Sequence, residues 1–316
     1  MAIRAAQDPA REGQKGGIGE EVGKGVLHLE RLSRITDVHI HIQPWRDLKP
    51  QVQQAMRKGK EDHWDFLISL MDDPRALLEV MDRSGVWRVG LVNYPSPDIM
   101  GFDDSTNTFA AHYARANPER LLPYGGVHAR YTRDPAGDVD RLVDLGIRLL
   151  KIHPPHQNFP ANAYTDGLGA LGKIYRRCEE RGLPVMIHTG TSIFPGARSK
   201  WGNPLELDDV AIDFPDLQLV MAHGGRPLYM DEAFFILRRH GRVRLDVSGI
   251  PPAKLLEYFP RLTEIVDRVL WGTDWPSPGV KDLRQNIDQF LALPLAETQR
   301  RAILETNALK LFPAET

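Results

Sequence analysis

The chain has 316 residues, 42% hydrophobic and 26% charged, with a formal net charge of −2. These are the proportions of an ordinary globular protein with enough material for a substantial core. The near-neutral charge leaves no general attraction for nucleic acid or an anionic membrane. A lone cysteine, Cys178, excludes an intrachain disulfide, and no apolar run approaches the roughly 18 residues of a membrane span. The first residues lack the apolar stretch of a secretory signal, so a cytoplasmic protein is expected.

Residues 1–24, rich in charge and glycine, are expected as a mobile tail, and residues 25–316 as one domain. The first β-rich apolar run is RITDVHIHI, 34–42. A long insertion after strand 1 is expected at 43–72, followed by a helix over 73–85 that opens on Asp-Asp-Pro and closes on Gly85. Further strands are expected at 86–94, 121–129, 147–154, 183–190, 217–225, 243–249 and 268–274. Amphipathic helical segments separate them; one of these is 253–267, and another, 168–182, carries Cys178 on a helix face. An irregular stretch, 189–205, follows strand 5. Strands alternating with helices imply a parallel sheet with right-handed crossovers. Eight units favour closure into an α/β (β/α)8 TIM barrel over an open sheet, and no Gly-rich fingerprint follows strand 1.

Alternation along a strand puts His39 and His41 on the same face. Two imidazoles in an apolar run are costly to bury unless hydrogen-bonded or bound to a metal. A His-x-His pair at a strand end offers two donors to one ion, the alternative being two satisfied histidines. His188 ends PVMIH, His223 ends LVMAH, Asp274 ends VLWGTD, and His153 lies near the end of LLKIHP. In a barrel these groups converge at the C-terminal mouth, where the stretches 43–72 and 189–205 also lie.

The ordered motifs DVHIH, KIHP, IHTG, AHGG, GTDWP and the closing TNALKLF span 35–312. With them the chain resembles the amidohydrolase superfamily, in the branch that includes aminocarboxymuconate semialdehyde decarboxylase. The resemblance implies that His39, His41, His188 and Asp274 bind a metal. It also implies that Asp274 takes a proton from water and that His223 polarises substrate or orients the nucleophile. Three imidazoles and a carboxylate suit one divalent ion, Zn²⁺ first and Mn²⁺ second.

Lys151 shares the interior face with His153. In binuclear relatives a carbamylated strand-4 lysine bridges two metals; the alternatives for Lys151 are pairing with Asp37 or reaching substrate anions. One metal is favoured, with His153 and Lys151 as substrate contacts. Arg226, Arg198 and Lys200 are candidates for a substrate carboxylate, or else ordinary surface cations. Trp201 and Trp275 are candidate pocket walls, and His128 and His156 weaker mouth residues. The expected reaction is hydrolysis of a lactone, amide or ester of a small molecule. The alternative is non-oxidative decarboxylation of an aromatic or unsaturated acid, and a non-catalytic binding protein is a third reading. A homodimer is the base-rate expectation.

Overall fold

The computed structural model describes residues 32–314, so the expected tail lies outside the described residues. Eight parallel strands follow in chain order: β1 (Thr36–Ile40), β2 (Arg88–Leu91), β3 (Leu121–Gly125), β4 (Leu149–Ile152), β5 (Val185–His188), β6 (Leu219–Ala222), β7 (Val243–Asp246) and β8 (Val269–Leu270). Each pairs in parallel with the next. Backbone hydrogen bonds bring the end of the sheet back to its start. Val38 N–H donates to Trp271 O, Asp274 N–H to His39 O and His41 N–H to Trp275 O, at 2.9, 2.8 and 2.7 Å. The result is a (β/α)8 barrel whose last seam is held by the residues that carry the His-x-His pair and Asp274.

Every expected strand contains an observed one, each trimmed at one or both ends. Residues 149, 186, 220 and 270 pack together inside the barrel as Leu149, Met186, Val220 and Leu270, with Leu122 and Tyr124. The larger core lies outside, between strands and helices. Helix boundaries follow local chemistry. Asp73, Asp134 and Asp282 accept hydrogen bonds from Arg75, Gly137 and Gln285 N–H at helix starts. Gly85 and Gly182 end their helices in the left-handed conformation.

The structure departs from the expected pattern in two places. The stretch 43–72 carries its own helices, Pro50–Arg57 and Trp64–Asp72, and Trp45 stacks on Trp64. The helical pattern at 253–267 divides into Leu255–Tyr258 and a 3₁₀ stretch, Leu262–Arg268. Pro260 lies in the gap, where its missing N–H cannot continue a helix. Cys178 is buried on the inner face of Gly169–Arg181, and burial pushes its thiol up, as suits a packing residue. Among the described residues no helix is long and apolar enough to cross a membrane.

Candidate metal centre

The C-terminal ends of the strands surround one cavity. His39 is the penultimate residue of β1, with His41 just beyond the strand; His153 follows β4, His188 ends β5, His223 follows β6, and Asp274 follows β8. All line the cavity, together with Lys151 and Arg226. His223 and Asp274 are two of the three non-glycine described residues with positive φ, at 67° and 70°. Such backbone is disfavoured for L-residues, and here it occurs where the two side chains turn from strand to mouth.

The donor atoms of His39, His41 and Asp274 lie within 4.8 Å of one another. His41 Nε2 is 2.9 Å from Asp274 Oδ1, and His39 Nε2 is 3.4 Å from the same oxygen. Asp246 and Ser248, at and beyond the end of β7, stand behind them. Asp246 Oδ2 is 2.6 Å from His39 Nδ1 and accepts the Ser248 hydroxyl at 2.8 Å; its Oδ1 accepts Ser248 N–H. Ser248 O is 2.8 Å from His223 Nδ1. Both imidazoles therefore carry their proton on Nδ1 and turn Nε2 toward the cavity.

His39 Nε2 and His188 Nε2 are buried and make no hydrogen bond among the described residues. An unpartnered lone pair costs on the order of 1–3 kcal/mol, and a cation satisfies it. The residues therefore fit a divalent metal. His188 stands outside the compact trio: its ring stacks on His153 with centroids 3.8 Å apart and lies 4.7 Å from His223.

Burial acts to raise the Asp274 carboxyl. The hydrogen bond from His41 and the electrostatic pull of His41, His39 and Arg226 outweigh it and hold the group well below the usual carboxylate range. Asp274 is thus an acceptor at any working pH. His188 and His223 are pushed well down, first by burial and then by neighbouring cations, and stay neutral.

The family model described as amidohydrolase matches residues 36–314. The chain belongs to the amidohydrolase family. Among solved structures, it is similar to a TIM-barrel protein of Bordetella bronchiseptica at 22% identity, covering 88% of this chain and 98% of that one, with a TM-score of 0.71. A probable 2-pyrone-4,6-dicarboxylic acid hydrolase of Acinetobacter baumannii matches at 17% identity, covering 88% and 99%, with a TM-score of 0.65. A 5-carboxyvanillate decarboxylase of Sphingomonas paucimobilis matches at 19% identity, covering 90% and 100%, with a TM-score of 0.61. These similarities concern the fold. None of the proteins of curated function matches the chain.

Within this amidohydrolase the remaining expected site residues separate. Lys151 Nζ is fully buried without a hydrogen-bond partner among the described residues, and burial pushes it down to about 8 against the pull of Asp246 and Asp274. It does not pair with Asp37, which accepts the Thr273 hydroxyl at 2.6 Å and the backbone N–H of His39 and Thr273. Arg226 Nη2 lies 3.5 Å from Asp274 Oδ2, and its Nε is buried and unpartnered.

Trp275 is not among the residues that line this cavity; it is buried in the core, and its backbone pairs with Ile40 at the barrel seam. Arg198 and Lys200 lie over the ring of Trp201, and none of the three reaches the cavity. His128 also lies off the lining, packed on Tyr131 and Phe159, whereas His156 does line it.

Sequence reasoning passed over Asp246, Ser248, Tyr94, Ser192 and Lys60. An Asp-x-Ser at the end of a strand, in register with the other polar strand ends, was the available signal for the first two. Lys60, in the connection after β1, is pushed down to about 8 by burial against the pull of Asp274, and its ammonium donates to Met56 O.

Proposed function

We propose that the chain is a metal-dependent hydrolase of small carbonyl compounds that carry a carboxylate, such as lactones, amides or esters of organic acids. The observation that carries this reading is the His39–His41–Asp274 donor set on a cavity with the Arg226 guanidinium at its edge. These three residues would hold one divalent ion, with His188 as a further donor; Zn²⁺ is the first candidate and Mn²⁺ the second. Such an ion supplies Lewis acidity toward a carbonyl oxygen and toward water.

The chain's own groups supply the proton chemistry. Asp274, held ionised, accepts a proton from the attacking water. His223 is fixed by Ser248 O as the Nδ1–H tautomer, so its Nε2 lone pair faces the cavity, beside the rings of His39 and His188. It orients the water or the substrate carbonyl. Arg226 has an unsatisfied Nε and a fork of donors for a substrate carboxylate. Lys151 and His153 complete the cavity as substrate contacts.

The test begins with metal content per chain in the wild type and in His39→Ala. About one Zn²⁺ or Mn²⁺ per chain in the wild type, lost in the variant, supports the centre. Two would bring Lys151 into the ligand set as a carbamate, and none after metal supply would overturn the proposal. The loaded protein is then given 2-pyrone-4,6-dicarboxylate and 5-carboxyvanillate in ¹⁸O-labelled water. Label in a ring-opened acid supports hydrolysis. Carbon dioxide release without label in the organic product would make the protein a decarboxylase instead.

A further inference from the structure

A second group of polar side chains lines the same cavity. Tyr94 lies beyond β2, His156 in the one-turn helix Pro154–Gln157, and Ser192 in the stretch after β5. Tyr94 Oη is 2.8 Å from His156 Nδ1, and His156 Nε2 is 2.7 Å from Ser192 Oγ. The imidazole is clamped, with the His153 ring stacked on it at 3.5 Å and 8° and the Phe194 ring edge-on at 5.4 Å. An aligned chain of three groups on a cavity wall is more than packing requires, and nothing in the metal chemistry uses it.

The proton positions follow from counting donors and acceptors. The Tyr94 hydroxyl is buried, and among the described residues His156 Nδ1 is its one hydrogen-bond partner. Burial holds Tyr94 in its phenol form and pushes His156 down to about 3, so the ring is neutral and carries one N–H. If that N–H were on Nδ1, it would face Tyr94 and leave a buried phenol proton with no acceptor. With the N–H on Nε2, Tyr94 donates to Nδ1 and His156 donates to Ser192 Oγ. Phe194 N–H also reaches Ser192 Oγ, at 3.4 Å. Both lone pairs of Ser192 are then engaged, and its own proton is left for the cavity.

We propose that Ser192 is a substrate-binding hydrogen-bond donor, aimed by Tyr94 through His156 at a carbonyl or carboxylate oxygen of the ligand. Tyr94 and His156 are positioning residues. The proposal rests on the cavity being the substrate site, but not on which reaction occurs there.

Two measurements on the metal-loaded, full-length protein test it. The first is the His156 tautomer, read from ¹⁵N ring shifts and assigned with His156→Gln. Nε2–H is expected, and Nδ1–H would overturn the proposal. The second is the Kd of isophthalate, an unreactive aromatic dicarboxylate, by calorimetry. Ser192→Ala is expected to weaken binding about tenfold, and Ser192→Thr to restore it. Tyr94→Phe should weaken binding less in the wild type and add nothing in the Ser192→Ala background, because its effect passes through Ser192. Additive losses, or wild-type affinity in Ser192→Ala, would overturn the assignment. A protein that shows this coupling yet incorporates no water into any product keeps the relay and loses the hydrolase reading.

Discussion

Asp246→Asn removes one negative charge and adds no bulk, so its effect isolates the group behind His39. In the native arrangement Asp246 is an acceptor on both oxygens: Oδ1 takes Ser248 N–H at 2.9 Å, and Oδ2 takes the Ser248 hydroxyl and the His39 Nδ1 proton. An asparagine has one oxygen. If it faces Ser248 N–H, its amide meets His39 Nδ1–H, two donors nose to nose. The ring then relieves the clash by moving its proton to Nε2, the atom a metal needs. If the amide instead faces Ser248 N–H, that buried donor loses its acceptor. A buried hydrogen bond to a charged group contributes about 1.5–3 kcal/mol, which corresponds to roughly 10–100-fold in affinity at about 1.4 kcal/mol per decade. Orienting partners of metal-binding histidines have effects of the same order. The assay is competition of the variant against a chelator of known affinity for Zn²⁺ and Mn²⁺. Circular dichroism of the metal-free protein establishes that the fold persists. Unchanged metal affinity in a folded Asp246→Asn would refute the assignment of the His39 tautomer and of the role of β7.

Other substitutions test the rest of the site. Gly272→Ala should lower metal affinity although it touches no donor atom, because its Cβ would come within 2.4 Å of Asp246 Oδ1 and 3.1 Å of His39 Cβ; chelator competition equal to wild type would show that the strand end yields without cost. Asp274→Asn should retain the fold and lose about 10²–10⁴-fold in turnover, the usual scale for a general base, and near-normal turnover would remove it from proton transfer. Far from the cavity, burial pushes Glu206 up to about 7, against the opposing hydrogen bond from Ala161 N–H. The folded chain holds that proton more tightly than the unfolded one, so this contribution is present below pH 4.5 and is lost as pH rises through about 7. Glu206→Gln should therefore narrow the gap between the Tm at pH 5 and at pH 8, and an unchanged gap would argue against the shift.

The barrel was legible because each strand is a short apolar run bounded by helix-start and helix-stop chemistry, and that punctuation is local. Asp73 before Pro74, Asp134 before Pro135 and Gly182 after Arg181 act within a turn of where they stand. The helix expected over 253–267 failed for an equally local reason: Pro260 outweighs an amphipathic pattern that reads well on both sides of it. The helices within 43–72 were missed because that segment was set apart by its length alone. The cue was Trp45 against Trp64, a contact made across 19 positions that periodicity does not report.

The site was legible in its donors and illegible in what orients them. His39, His41 and Asp274 stand at strand ends, where alternation alone predicts convergence, and they converge. Trp275 occupies an equally suggestive position and faces the core. Its backbone carbonyl takes His41 N–H at the barrel seam, and its side chain packs with the buried core. Asp246 and Ser248 read in the sequence as two more polar residues in a strand. Their importance lies in pairing with histidines that precede them by 207 residues in one case and 25 in the other. Imidazole chemistry depends on which nitrogen carries the proton, and that is decided by the partner of the other nitrogen. In this chain the partners of His39 and His223 come from the last residue of β7, a strand with no ligand of its own, and from just beyond it. A search for ligand motifs therefore finds the atoms that would touch the metal and passes over the strand that sets their protonation.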